Sequence, residues 1–71
     1  MDAKKLHMCI KLALMREESS EAKTAPLIGM TQQGLNRKLR AGTLRAGELI
    51  DLMEALGYKV TATKGDDTIE F

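Results

Sequence analysis

The sequence predicts a mainly α-helical domain of about four helices that ends in a β-hairpin. Through the first 57 of its 71 residues, apolar side chains recur at spacings of three and four, the period of an amphipathic helix. From residue 58 onward the period becomes two, as in a strand. One tyrosine and one phenylalanine are the only aromatic residues, so aliphatic side chains and methionine must form the core. We expect a single domain, with helices in residues 1–57 and a hairpin in residues 58–71.

The first helix is predicted over residues 3–17, with Asp2 placed where negative charge favours a helix N-terminus. Its apolar positions follow the i, i+4, i+7 and i+8 spacing of one buried stripe. The residues of this stripe are Leu6, Ile10, Ala13 and Leu14. Cys9 flanks the stripe, and we expect it to be a small buried side chain.

A second helix begins after the serine pair at positions 19 and 20, since either hydroxyl can accept a hydrogen bond from the first helical turn. Its expected inward residues are Ala22, Ala25 and Ile28. Pro26 lies several residues past the cap, where it removes a backbone hydrogen bond, so the helix either begins nearer Thr24 or is kinked. Gly29 then makes a turn, because a left-handed conformation costs little only for glycine.

The third helix is predicted over residues 31–40, with Thr31 as its N-cap. Leu35 and Leu39 lie four residues apart and so point into the core. Gly34 inside this helix costs about 1 kcal/mol relative to alanine. It either allows a close backbone approach to a partner or a neighbouring helix, or is an unselected weak position.

Gly42 ends the third helix, and the last helix is predicted over residues 46–56, before Gly57. Its apolar stripe consists of Leu49, Ile50, Leu52, Met53 and Leu56. Its outer face is acidic and carries Glu48, Asp51 and Glu54. These acids are interpreted as a solvated face and not as a metal site, because no histidine accompanies them.

The outward face of the third helix carries amide and guanidinium side chains. These are Gln32, Gln33, Asn36, Arg37 and Arg40. Glutamine and asparagine can bond bidentately to adenine, and arginine to guanine or phosphate. Residues 25–45 contain four basic residues and no acidic one, although the whole chain has a net charge of only +1. Because phosphate contacts need a local positive field, the pattern indicates a nucleic-acid interface; the alternative is a solvated basic helix face.

The segment between the second and third helices contains a turn glycine followed by a threonine and two glutamines: Gly29, Thr31, Gln32 and Gln33. Ala25 and Leu35 stand four residues before and six residues after the glycine. This pattern resembles the phage repressor and Cro type of helix-turn-helix transcriptional regulators, over residues 6–57. The sequence differs from that family at Pro26, at Leu39, which falls one residue later, and in the strands after Gly57.

The resemblance implies a lambda-repressor-like helix-turn-helix bundle that acts as a sequence-specific, repressor-like regulator on double-stranded DNA. It also implies a homodimer on a palindromic operator, with two recognition helices in successive major grooves. The expected base-reading residues are Gln32, Gln33, Asn36 and Arg37. The expected phosphate-binding residues are Thr31, Lys38, Arg40 and Arg45, of which Lys38 could serve either purpose.

The hairpin is predicted to turn at residues 64–67 and to place its apolar side on the helical core. Its exposed edge would then be blunted by charge or paired with a second copy of the chain. The expected dimerisation residues are Tyr58, Val60, Ile69 and Phe71.

Several classes of protein are not expected. A single cysteine excludes an intrachain disulfide and a cysteine-based zinc site. No phosphate-binding glycine loop appears either, and we expect neither a metal nor a cofactor. His7 and Cys9 are two residues apart and do not face each other on a helix, and no other catalytic arrangement appears, so an enzyme is not expected. Neither a signal peptide nor a long apolar run is present, and we expect a cytoplasmic protein without a membrane segment.

The main alternative function is a protein-binding helix-turn-helix module, such as an antitoxin or a phage-encoded inhibitor. Residues 46–71 contain six acidic and two basic residues, and this acidic segment would serve to bind a protein partner. Because an antitoxin can also bind DNA, the two functions overlap.

Overall fold

The protein forms four helical segments and one antiparallel hairpin, as described for residues 1–71 by a computed structural model. The helices are α1 (Ala3–Arg16), α2 (Glu21–Thr24, continued by a 3₁₀ turn over Ala25–Ile28), α3 (Gln32–Ala41) and α4 (Ala46–Ala55). The strands are β1 (Thr61–Lys64) and β2 (Asp67–Glu70). The predicted mainly helical class with a C-terminal hairpin is confirmed.

Side-chain oxygen atoms cap three of the four helices. Each accepts a hydrogen bond of 2.8 to 3.1 Å from the backbone N–H three residues later, and the capping residues are Asp2, Ser20 and Thr31. Such a cap stabilises a helix by about 1 kcal/mol. The predicted cap at Thr31 is confirmed, and Ser20, not Ser19, caps the second helix.

The helix that contains Pro26 changes from α-helical to 3₁₀ geometry at this proline. After the single α-helical turn of α2, the chain tightens into the 3₁₀ turn, where Pro26 lies at the start and loses no essential hydrogen bond. Within α2, Thr24 is buried and Ala22 is exposed, so the prediction that Ala22 points inward is wrong. The Thr24 hydroxyl is satisfied at 3.0 Å by that of Ser19. Gly29 ends the turn with a φ of 73°, as predicted.

The core lies between the helices. Its buried apolar residues are Ile10, Ala13, Leu14, Ala25, Leu35, Leu39, Leu52 and Leu56. The predicted stripes of α1, α3 and α4 therefore face one another, with Leu6, Leu49 and Met53 packed at the margin. Leu35 and Leu39 are both fully buried, which fixes the opposite face of α3 toward solvent.

The hairpin forms as predicted but does not pack on the core. Ala62 pairs with Ile69, and Gly65 takes a φ of 58° at the first central position of the turn, as a type II′ turn requires. Every residue of both strands is exposed, including Ile69 at 57%. The prediction that the apolar side of the hairpin covers the core is wrong, because the helices close the core among themselves.

The outer face of α1 is also uncovered. Cys9 is exposed, so the prediction of a buried cysteine is wrong: α1 packs on one side only, and Cys9 lies beyond that side. Met8, Leu12 and Met15 form an exposed apolar row on the same helix. None of the helices has the length and apolar composition needed to cross a membrane.

Candidate nucleic-acid interface

One face of α3 forms a shallow, open groove of polar and basic side chains. We name it the recognition surface and define it as Gln32, Gln33, Asn36, Arg37 and Arg40. Four of these residues are exposed and Asn36 is half-buried. No acidic residue lines the groove. The structure therefore brings together all four expected base-reading residues and one of the expected phosphate-binding residues.

The N-terminal cap of α3 fixes where the recognition surface begins. The Thr31 hydroxyl accepts a hydrogen bond from the Gly34 backbone N–H at 3.0 Å, which defines where α3 begins. A Cβ atom at residue 34 would lie 3.0 Å from the Thr31 hydroxyl oxygen. Gly34 thus leaves room for the cap, a reason for glycine that neither sequence-based alternative included.

Asn36 differs from the two glutamines because another helix holds its side chain. Its Nδ2 atom donates a hydrogen bond of 2.9 Å to Oε1 of Glu21, the first residue of α2. Gln32 and Gln33 make no such contact and remain exposed. The side-chain amides of Gln32 and Gln33 are therefore free to rotate, whereas that of Asn36 is restrained by a hydrogen bond.

Lys38 lies outside the recognition surface and contacts Glu48 of α4. The hydrogen bond from Lys38, together with that from the Arg45 backbone N–H at 2.9 Å, lowers the pKa of Glu48 below its ordinary value. The ammonium group of Lys38 is thus compensated by a carboxylate within the protein. A phosphate would have to compete with Glu48 for it.

The other expected phosphate-binding residues remain accessible. Arg40 and Arg45 are exposed, and neither guanidinium forms an ion pair. The Thr31 hydroxyl oxygen accepts the helix cap, so its own O–H is still able to donate. Arg45 lies just before α4 and Arg40 near the end of α3, so the two arginines are on separate segments.

Two lysines of α1 extend the basic surface, and the sequence interpretation missed them. Lys11 lines a depression together with Gln32 and Asn36, and Lys4 lines another together with Arg40. Lys4 and Lys11 are seven residues apart, two helical turns along one face of α1. That spacing was the available signal, but only the packing of α1 against α3 places both lysines at the edge of the recognition surface.

The expected dimerisation residues differ in exposure: Tyr58 and Val60 are half-buried, whereas Ile69 and Phe71 are exposed. Tyr58 packs against the core, and its hydroxyl donates a hydrogen bond of 3.1 Å to Oε2 of Glu17. Partial burial and this hydrogen bond raise the pKa of Tyr58. Val60, Ile69 and Phe71 lie together on the apolar side of the hairpin, because the Phe71 N–H bonds the Val60 carbonyl at 2.9 Å.

Comparison with known proteins adds nothing to the description of this surface. No protein-family model matches it. No curated protein and no solved structure is significantly similar to it. The interpretation of the recognition surface therefore depends on the geometry and charge of the residues described above.

Proposed function

We propose that the protein is a sequence-specific DNA-binding transcriptional regulator of the repressor type, with a lambda-repressor-like helix-turn-helix formed by α2 and α3. The observation that carries the proposal is the recognition surface: an exposed, acid-free row of amides and guanidinium groups on a helix whose opposite side is fully buried. An α-helix of this kind fits the major groove, where each base pair presents its own pattern of donors and acceptors.

Base reading is assigned to residues in the first two turns of α3. Gln32 and Gln33 lie in its first turn with free amides, which suits bidentate contact with adenine. Arg37 lies one turn further along the same exposed face and suits guanine. Asn36 contributes with a side chain already restrained by Glu21.

Phosphate binding sets the register of the helix in the groove. Arg40 and Arg45 supply unpaired guanidinium groups, and Thr31 supplies a hydroxyl donor. Lys38 contributes less than these residues, because Glu48 already neutralises it.

The active form is proposed to be a homodimer on a palindromic operator. Ile69 and Phe71 are exposed beside the half-buried Val60, so this apolar side of the hairpin is only partly covered by the rest of the chain. Face-to-face packing of two such hairpins about a two-fold axis buries both apolar faces, and the two α3 helices of the proposed dimer bind half-sites about one helical turn apart.

The test is a selection from random double-stranded DNA with the full chain at two salt concentrations. Enrichment of a palindrome is the expected result, and enrichment of no sequence contradicts the proposal. Gln32→Ala and Gln33→Ala should each lose about 1–3 kcal/mol of discrimination at one operator position. Thr63→Ala is the control, because Thr63 is an exposed polar residue on the distant hairpin.

A second candidate function is a protein-binding module, such as an antitoxin or phage-encoded inhibitor. The exposed row of Met8, Leu12 and Met15 favours it, because lysines rim this row and would attract an acidic amphipathic helix. A partner protein that binds the wild type and Gln33→Ala but not Leu12→Lys would support this function. Loss of the partner with Gln33→Ala would instead place the contact on α3.

A further inference from the structure

Polar groups from three helices meet at one edge of the recognition surface. Glu21 of α2 accepts the 2.9 Å hydrogen bond from Asn36 Nδ2 of α3 through Oε1. Its other oxygen, Oε2, lies 3.7 Å from Nε2 of His7 in α1. The side chains of Glu21 and His7 are only 15% and 16% exposed. The carboxylate is therefore enclosed between its hydrogen-bond partner Asn36 and the imidazole of His7, whose buried Nε2 atom makes no hydrogen bond.

Glu21 is fixed on its own side as well. It is the first residue of α2, directly after the Ser20 cap, whose hydroxyl accepts the Lys23 N–H at 3.1 Å. Its negative charge is favourable at this helix N-terminus. Asn36, whose side chain lines the groove, thus donates its hydrogen bond to a fixed carboxylate, and the carboxylate determines the orientation of the Asn36 amide.

A carboxylate distinguishes the two ends of an asparagine amide. The amide carries an oxygen acceptor and an NH₂ donor of nearly equal size, whereas an ionised carboxylate only accepts hydrogen bonds. Glu21 therefore holds the Nδ2 end of Asn36, and the Oδ1 end is left without a partner in the protein. A carbonyl oxygen on a side chain that lines the groove can accept a hydrogen bond from an exocyclic amine of a base, and it is repelled by a base carbonyl.

We propose that Glu21 is a positioning residue that makes Asn36 present its carbonyl oxygen to DNA. Asn36 then selects a base with an amine in the major groove, adenine N6 or cytosine N4, against guanine O6 and thymine O4. This inference rests on the proposed function. It adds to the DNA contacts of α3 a residue of α2 that sets specificity without touching a base.

If the Glu21–Asn36 hydrogen bond only held α2 and α3 together, removing it would have a different effect from the one expected of a positioning residue. Loss of a tie lowers the stability of the fold and the affinity for all sequences together. Loss of a positioning carboxylate relaxes the preference at a single operator position. It also removes a negative charge from the edge of a phosphate-binding surface, which raises non-specific affinity.

The experiment is DNA selection with the full-length wild type, Glu21→Ala, Glu21→Gln, Glu21→Asp and Asn36→Ala. The wild type should enrich an amine-bearing base at one position, and Asn36→Ala should reduce that preference by about fivefold or more. Glu21→Ala and Glu21→Asp should relax the same position, because the first has no acceptor and the second is one methylene too short. Glu21→Gln retains an acceptor oxygen and should restore most of the preference.

The double variant Glu21→Ala/Asn36→Ala should show the same base preference as Asn36→Ala alone. If the wild type enriches a sequence and both Glu21→Ala and Glu21→Asp keep its preference, the inference is overturned while the proposed function stands. If the wild type enriches nothing, the proposed function itself fails.

Thermal unfolding of every variant serves as the control that the variant is folded. If Glu21→Ala does not fold, an NMR measurement without DNA tests the inference on Glu21→Asp instead. In the ¹H–¹⁵N NMR spectrum, the Asn36 side-chain amide should shift in Glu21→Asp while the amides of Gln32 and Gln33 stay in place. An unshifted Asn36 amide would show that Glu21 does not hold it and would overturn the inference.

Discussion

Ala3 and Gly42 touch where the start of α1 meets the end of α3. A Cβ atom on Gly42 would lie 2.7 Å from the Ala3 Cβ, which is closer than two nonbonded carbon atoms approach in proteins. Gly42 also has a φ of 71°, in the left-handed region. The position therefore requires glycine for two independent reasons, and the absence of a side chain allows the start of α1 to lie close to the end of α3.

Gly42→Ala should lower the free energy of unfolding by more than the roughly 1–2 kcal/mol expected for a left-handed alanine, because the clash with Ala3 adds to the backbone strain. Gly29→Ala is the matched control: its φ is 73°, and a Cβ there meets no atom within 4 Å. Denaturant unfolding of both variants measures the difference. If both variants lost the same free energy of unfolding, Ala3 would be shown to move aside at no energetic cost.

Gly47→Ala should stabilise the protein by about 0.5–1 kcal/mol, since Gly47 lies inside α4 and loses more backbone entropy than alanine on folding. Its φ is not positive and its Cβ would meet open space. A higher midpoint of thermal unfolding checks this. Gly34→Ala is the comparison, and it should gain less, because its Cβ would press on the Thr31 cap at 3.0 Å.

The ion pair of Lys38 and Glu48 should make stability depend on pH in the acid range. Because folding lowers the pKa of Glu48, its contribution is complete above the ordinary glutamate pKa and disappears as the pH falls through the folded value. Glu48→Gln should therefore be less stable than the wild type at neutral pH, with a difference that vanishes in acid. Glu54→Gln, on the same helix and exposed, is the control. A difference independent of pH would rule out the ion pair as its source.

Arg40→Ala and Arg45→Ala should each weaken binding to all DNA sequences and reduce the salt slope of log K by about one unit. Lys38→Ala should change the slope less, since Glu48 already compensates this lysine. Fluorescence anisotropy titrations at several salt concentrations give the slopes. Three equal changes would mean that Lys38 leaves Glu48 to bind phosphate, and unchanged slopes would leave the arginines as surface charge.

The hairpin should make the dimer. Ile69→Asp places a charge on its apolar side and should give a monomer by light scattering at tens of micromolar, with weak, non-specific DNA binding. Thr68→Asp lies on the opposite side of the same strand and should remain dimeric. Because the strands are fully exposed, neither change should lower the thermal stability of the helices much. A dimer that survives Ile69→Asp would move the interface to the helices.

Local patterns in the sequence predicted most of the elements and the residues of the recognition surface, but not the 3₁₀ turn or the two lysines of α1. The spacing of Leu35 and Leu39 oriented α3, the hydroxyl of Thr31 marked its start, and alternation after residue 58 indicated the hairpin. These features depend on contacts between residues at most four apart, or on the pairing of two adjacent strands. Helix period, capping and turn chemistry act over that range, so they can be read directly from the chain.

Only the tertiary structure decided which sides of these elements are covered. The hydrogen bond between Glu21 and Asn36 joins residues 15 apart, and that between Glu17 and Tyr58 joins residues 41 apart. No local pattern encodes such distances, because they depend on how the helices pack around the shared core. The same packing left Cys9 and the hairpin exposed, since the helices alone bury one another's apolar stripes. The sequence thus determined what each element is, and the packing of the helices determined what each side chain meets.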